Sequence, residues 1–216
     1  MDINKFPDYY KNYDELILKM MPFYPEMHKI MIESINKPID SKFEILELGF
    51  GTGTLTYLIL RSFPKSDILG IDNNIENIEI SQKRLKRFAN FRYKVNNIVN
   101  YKPKIKFDII ISSLAIHHLT DKEKELFFKR AYELLNPNGR IIIGDIVRSP
   151  KAEDWHKYLI FNLGEEGKYR WKIHKNNPLD KPSTLKKQIK WLKEAGFNKI
   201  EVMKNWYNFY VFRGEK

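Results

Sequence analysis

Residues 47–53 read Glu47-Leu48-Gly49-Phe50-Gly51-Thr52-Gly53, after an apolar run and before a helical pattern. Three glycines at a spacing of two mark a strand-to-helix turn whose backbone must come close to something bound. A dinucleotide turn follows G-x-G-x-x-G, with the third glycine three residues after the second. Here that position is Thr54, and the third glycine falls one residue earlier. The spacing disfavours a pyrophosphate and suits a nucleoside-type ligand without one.

Outward from this turn, strand and helix alternate. Phe43–Leu48 is a short apolar strand, 53–63 a helix that ends near Pro64, and Asp67–Asp72 a second strand. Asn73 or Asn74 can cap a helix through about Phe88, since either side chain can accept from an early backbone N–H. Phe91–Val95 is a third strand, and Phe107–Ser112 has the continuous apolar run of a strand buried on both faces. Thr120 with Glu123 forms a capping-box pattern. Asn136-Pro137-Asn138-Gly139 is a turn, and Arg140–Val147 a fifth strand. Residues 152–180 break the alternation, aromatic-rich and read as helix then loop. A helix over about Ser183–Ala195 ends at Gly196. Lys199–Met203 and Tyr207–Phe212 close the chain as an antiparallel pair, because Lys204–Trp206 is too short for a crossover helix.

Such alternation implies a parallel sheet with helices on both faces, and ligands in such sheets bind outside the carboxyl ends of the strands. Gly49–Gly53, Asp72, Asn96–Ile98, Ser112–His118 and Asp145 therefore share one edge. The 216 residues suit one domain, with 43% hydrophobic and 14% aromatic residues for its core. No run is long enough to span a membrane, and the first residues lack the apolar segment of a signal peptide, so a cytoplasmic protein is expected. Absence of cysteine excludes disulfides, thiolate metal sites and cysteine nucleophiles. No metal site is expected. The net charge of +11 is uneven: residues 83–106 hold nine Lys/Arg and no acid. That stretch suits either a solvated helix face and loop, the simpler reading, or a nucleic-acid contact.

These segments together resemble the class I S-adenosylmethionine-dependent methyltransferases. ELGFGTG is similar to the family's first motif and LGIDNN to its second. FDIIISSLAIHHL, LLNPNGRIIIGDI and LKKQIKWLKEAGF are similar to segments of its small-molecule branch, which includes quinone-biosynthesis and tRNA wobble-uridine-modifying enzymes. The resemblance covers roughly residues 40–147 and, less closely, the rest. It implies a Rossmann-like, doubly wound α/β fold of seven mostly parallel strands with an antiparallel C-terminal hairpin. It divides one domain into a helical cap (1–40), a cofactor-binding core (41–147), a substrate-side insert (148–182) and a C-terminal helix and hairpin (183–216). The cofactor implied is S-adenosyl-L-methionine, leaving as S-adenosyl-L-homocysteine.

Carried onto this sequence, the resemblance assigns Asp72 to the ribose hydroxyls, where a carboxylate can accept both protons. Charge-assisted bonds of this kind contribute roughly 1.5–3 kcal/mol. Gly49, Phe50, Gly51 and Gly53 form the cofactor turn, and Glu47 can orient the methionine ammonium or be structural. At the adenine the matching position is Asn97 where relatives often carry aspartate, with Asn96 as an alternative, Ile98 as an apolar wall and Asn73 as a lesser candidate. Ser112 and Ser113 fall near the methionine part. His117 and His118 follow on the loop over the reaction centre, His118 preferred as a base, though one could pack inward and the other fix the loop. Tyr9, Tyr10 and above all Tyr13 lie in a segment that folds over the cofactor in this family, with helix packing the plainer reading. Trp155, Trp171 and the 206–210 aromatics are candidates for substrate walls or core, and Arg148 and Arg170 for meeting an anionic acceptor.

The expected reaction is methyl transfer to nitrogen or oxygen of a small molecule. A tRNA-modifying enzyme, including one that uses a modified cofactor, and a non-catalytic cofactor-binding protein are the competing readings. No [Asp/Asn/Ser]-Pro-Pro-[Tyr/Phe] segment exists, which disfavours methylation of base exocyclic amines. The chain is expected to be a monomer or homodimer.

Overall fold

A computed structural model describes residues 13–216, and of Tyr13 the backbone alone. Two helices, α1 (Tyr13–Met20) and α2 (Tyr24–Glu33), precede β1 (Glu44–Leu48), α3 (Thr54–Ser62), β2 (Asp67–Asp72), α4 (Ile75–Leu85), β3 (Phe91–Val95) and β4 (Phe107–Ser113). A 3₁₀ turn at Ile116–His118 leads to α5 (Asp121–Leu134) and β5 (Leu135–Ile146). Then follow α6 (Ala152–Lys175), α7 (Leu185–Ala195), β6 (Asn198–Trp206) and β7 (Phe209–Glu215).

The strands form one sheet in the order β3-β2-β1-β4-β5-β7-β6. β1 to β5 pair parallel, while β7 runs antiparallel between β5 and β6. The order reverses between β1 and β4, which opens a crevice at their carboxyl ends. Both sheet faces are covered, so the central strands bury apolar side chains on both sides rather than on one. Along β4, Ile109 and Ile111 enter the core shared with Met27, Met31 and Trp155, whereas Ile110 enters the core shared with Phe127, Phe128 and Leu192. The alternation follows from the two-residue period of a strand. Each buried side chain of this size contributes about 1.5–3 kcal/mol.

The caps fall where local chemistry puts them. Asn74 accepts from the Asn77 N–H, Thr120 and Glu123 close a full capping box, and Gly196 ends α7 at φ +108°.

Three boundaries differ from expectation. β5 begins at Leu135 rather than Arg140, with 136–139 as an irregularity inside it. The backbone of this segment still has a partner: Asn138 N–H donates to Lys216 O, and Lys216 N–H to Gly139 O. The hairpin turns at Tyr207-Asn208 instead of 204–206, with Tyr207 at φ +50°. There the Asn208 carbonyl accepts from Val147 N–H at 2.8 Å, tying the turn to the end of β5. Finally, α6 continues to Lys175 where a loop was expected, kinked at Gly164 (φ +56°, ψ −127°). A Cβ on Gly167 would lie 2.1 Å from Leu159 O, so the second half folds closely back on the first.

Candidate active site

The glycine turn caps α3. All three glycines sit at positive φ, +76° for Gly49, +54° for Gly51 and +77° for Gly53, but their surroundings differ. A Cβ on Gly49 would lie 2.3 Å from the Ala115 Cβ, and one on Gly53 2.9 Å from Leu85 Cδ1. Gly49 and Gly53 are thus packed against the protein itself. A Cβ on Gly51 would meet nothing nearer than Asn77 Nδ2 at 4.0 Å, so this glycine borders open space. Beside it, Asp72 ends β2. Its Oδ2 accepts from Gly51 N–H at 2.8 Å, and its Oδ1 from Asn74 N–H at 2.9 Å. The carboxylate is held at the mouth of the turn, 8% exposed, with lone pairs remaining on both oxygens.

Along the neighbouring rim, Asn97 is exposed and its Oδ1 accepts from Val99 N–H at 2.8 Å, so the amide oxygen is already part of a local turn. Ile98 packs half-buried against the core, Asn73 is exposed, and Asn96 N–H donates to Asp72 O. The Phe50 ring is buried over Gly70, against Phe91 and Tyr93. Only the Phe50 backbone is left to face the crevice.

On the other side of the turn lies a buried polar group. Glu47 is fully enclosed, and Thr56 Oγ1–H donates to it at 2.7 Å. Burial pushes its pKa up to about 8 against that hydrogen bond. His28, from α2, lies with Nε2 3.1 Å from Ser113 Oγ, its ring 4.1 Å from that of Tyr24. Burial lowers the His28 pKa to about 3, so the imidazole is neutral, and burial raises that of Tyr24. Ser112 instead donates to Leu48 O at 2.7 Å, bracing β4 against β1. The N-terminal segment is fastened to the turn through Asp14, which pairs with Arg84 and accepts from Thr52 and Thr54. Tyr13 opens α1, but its side chain, like Tyr9 and Tyr10, lies outside the described residues.

The loop after β4 rests on the glycine turn through Ala115 and carries both histidines. His117 is buried, its Nδ1–H donating to Asp145 Oδ1 at 2.6 Å and its N–H to Oδ2 at 3.0 Å. His118 is half exposed, with Nδ1 3.2 Å from Asp180 Oδ1. His174, from α6, reaches Asp180 Oδ2 at 3.1 Å. Burial works against a charged His118, but the hydrogen bond and charge of Asp180 prevail and raise its pKa. Below them Lys124 Nζ is buried, bonded to Leu119 O and Lys181 O, and burial lowers its pKa to about 8.

The other candidates divide. Trp155 and Trp171 are core, Trp155 donating to Met20 O at 3.1 Å. Trp206 stacks on Phe23, Arg148 donates to Pro182 O and Arg170 pairs with Glu166. His28, His174 and Asp180 join the site although no sequence motif marks them, and Arg84 joins it from the basic stretch at 83–106. His28 shares a helix face with Tyr24 at a four-residue spacing, the one available signal. Asp180 lies in a loop with no motif.

A methyltransferase-domain family model matches residues 39–199. The chain belongs to the class I S-adenosylmethionine-dependent methyltransferases. A carboxy-S-adenosyl-L-methionine synthase of Helicobacter pylori is 22% identical over 94% of this chain and 90% of its own length. A methyltransferase of Oceanobacillus iheyensis is 28% identical over 69% of this chain and 68% of its own. Among solved structures, the N-methyltransferase NodS of Bradyrhizobium japonicum, in complex with S-adenosylhomocysteine, superposes with a TM-score of 0.64 at 16% identity. It covers 90% of this chain and 88% of that one. At this identity the superposition speaks for the fold alone. The residues present fit the family's cofactor: open space at Gly51, a fixed carboxylate beside it and enclosed polar groups beyond. Among the described residues no helix is long and apolar enough to cross a membrane.

Proposed function

We propose that this methyltransferase acts on nitrogen or oxygen of a small-molecule acceptor, with residues 41–147 holding the cofactor and 148–182 forming the acceptor side. The observation that carries this reading is the Ala115–Gly49 contact. It seats the His117–His118 loop, with Asp145 and Asp180 behind it, directly on the cofactor turn.

Bound S-adenosylmethionine supplies a methyl group already activated by its sulfonium. The chain must position, desolvate and, where needed, deprotonate the acceptor. In this reading Asp72 accepts from the ribose hydroxyls while Gly51 and Asn74 hold it still. The backbone of the turn passes close to the cofactor, and Ile98 and Asn97 border the adenine. Glu47, held by the Thr56 hydroxyl, would orient the methionine ammonium. Ser113 and His28 shape the same end. His118, oriented by Asp180, takes the acceptor proton, and His117 holds the loop through Asp145.

The test is turnover with methyl-labelled S-adenosylmethionine against a panel of small amines, phenols and hydroxy acids. Label moving to an amine or hydroxyl supports the reading. Label confined to carbon or to RNA overturns it.

A second reading is favoured by the near full-length similarity to carboxy-S-adenosyl-L-methionine synthases. It predicts that, with a carboxyl donor supplied, the sulfonium methyl loses a proton and takes up the carboxyl group, and that no acceptor is labelled. Mass spectrometry of the cofactor pool separates the two. For tRNA as acceptor the support is thinner. Of the nine basic residues at 83–106, Arg84 is bound to Asp14, Arg87 lies over the Tyr57 and Phe88 rings, Arg92 pairs with Glu44, and Lys106 reaches Glu133 O. A cytoplasmic monomer or homodimer accords with this proposal.

A further inference from the structure

His117, His118 and Asp180 each bring one ligand atom to within 4.8 Å of the others. The His117 Nδ1–H is committed to Asp145, which fixes the tautomer that leaves Nε2 bare. That Nε2 lies 3.7 Å from Asp180 Oδ1, so two electron-rich atoms face each other beyond hydrogen-bond range. His118 Nδ1 stands 3.2 Å from the same oxygen. A tetrahedral ion with bonds of about 2.0–2.1 Å sets its ligand atoms roughly 3.3 Å apart, which these two separations bracket.

The surroundings fit an ion as well. A metal-bound histidine almost always donates its other nitrogen to a carboxylate or carbonyl, as His117 does to Asp145. Asp180 is steadied in turn, its second oxygen 3.1 Å from His174 Nδ1. The three ligands come from two separate segments, the loop after β4 and the loop after α6, so an ion would tie the insert to the cofactor turn.

We propose that His117 Nε2, His118 Nδ1 and Asp180 Oδ1 form a site for one divalent first-row transition ion. Zn²⁺ is the best match to two imidazoles and a carboxylate, with a fourth position left for water or an oxygen-bearing acceptor. With an ion bound, His118 would act on the acceptor through it, whereas the base role proposed above is that of the ion-free protein. The site stands apart from the identity of the methyl acceptor, because ion uptake is read without turnover.

The test is equilibrium dialysis of metal-stripped protein against Zn²⁺ with elemental analysis, repeated with Co²⁺ to record its absorption spectrum. One ion per chain and the intense visible bands of tetrahedral Co²⁺ are expected. Asp180→Asn and His118→Ala should each weaken uptake at least tenfold while retaining the wild-type affinity for S-adenosylhomocysteine. No uptake by the wild type, or equal uptake by folded Asp180→Asn, overturns the proposal. Should Asp180→Asn fail to fold, His118→Ala, altered at a half-exposed side chain, decides alone: undiminished uptake by it contradicts the assignment.

Discussion

Gly51 donates its backbone N–H to the Asp72 carboxylate at 2.8 Å, joining the turn after β1 to the end of β2. The two residues lie 21 positions apart, one in the turn that follows β1 and the other at the end of β2, which pairs parallel with β1. This bond turns a flexible glycine loop and a lone carboxylate into one rigid rim. It also explains why the three glycines of the turn should not respond alike to substitution.

Gly51→Ala places a methyl in open space, so its folding cost is confined to the positive φ, about 1–2 kcal/mol. Gly49→Ala adds a collision with Ala115 and should unfold at clearly lower temperature. Thermal unfolding and S-adenosylhomocysteine titration of both variants check the contrast. Gly51→Ala should remain folded and lose most of its cofactor affinity.

Two buried groups set opposite limbs of the stability curve. Glu47 has a raised pKa of about 8 in the fold, so the folded state binds the extra proton, and stability falls as pH rises from about 4.5 through 8. His28 has a lowered pKa of about 3, so the unfolded state binds the extra proton, and stability falls as pH drops from about 6.5 toward 3. Denaturant melts across pH should show Glu47→Gln flattening the alkaline limb and His28→Gln the acid one. Each effect is on the order of 5 kcal/mol across its window.

His118→Ala removes the exposed imidazole facing Asp180. A positioned base contributes about 10²–10⁴-fold to proton transfer, and an acceptor that arrives unprotonated needs less of it. A fall in kcat of about 10–100-fold with unchanged S-adenosylhomocysteine affinity is expected. An unchanged kcat would remove His118 from the chemistry.

Should the exposed lysines Lys83, Lys86, Lys94, Lys102 and Lys104 be merely a solvated face, tRNA affinity should be weak and no tighter than for unrelated RNA. Fluorescence anisotropy across a salt series checks this. Tight, tRNA-selective binding with a steep salt slope would favour the RNA reading, since each phosphate contact adds to that slope.

The sequence exposed those parts of the molecule that depend on local rules. The Gly49–Gly53 turn, the Thr120–Glu123 box, the Asn74 cap and the apolar run at 107–112 each follow from residues close together in the chain. The hairpin turn at Tyr207-Asn208 was hidden because no glycine marks its positive φ. The continuation of α6 past Gly164 was hidden because the kink removes a single helical periodicity. At the site, Asp180 and His28 reach their partners from 62 and 85 residues away, where no spacing rule applies. Trp155 and Trp171 illustrate the converse. Their composition suggested either a pocket or a core, and tertiary packing made them core.

The central claim is that Asp72 and the glycine turn form the cofactor site. Calorimetric titration of S-adenosylhomocysteine into wild type and Asp72→Ala tests it most directly. The account predicts one site per chain in the wild type and at least a tenfold loss of affinity in the variant. Equal affinity in a folded Asp72→Ala protein would contradict it.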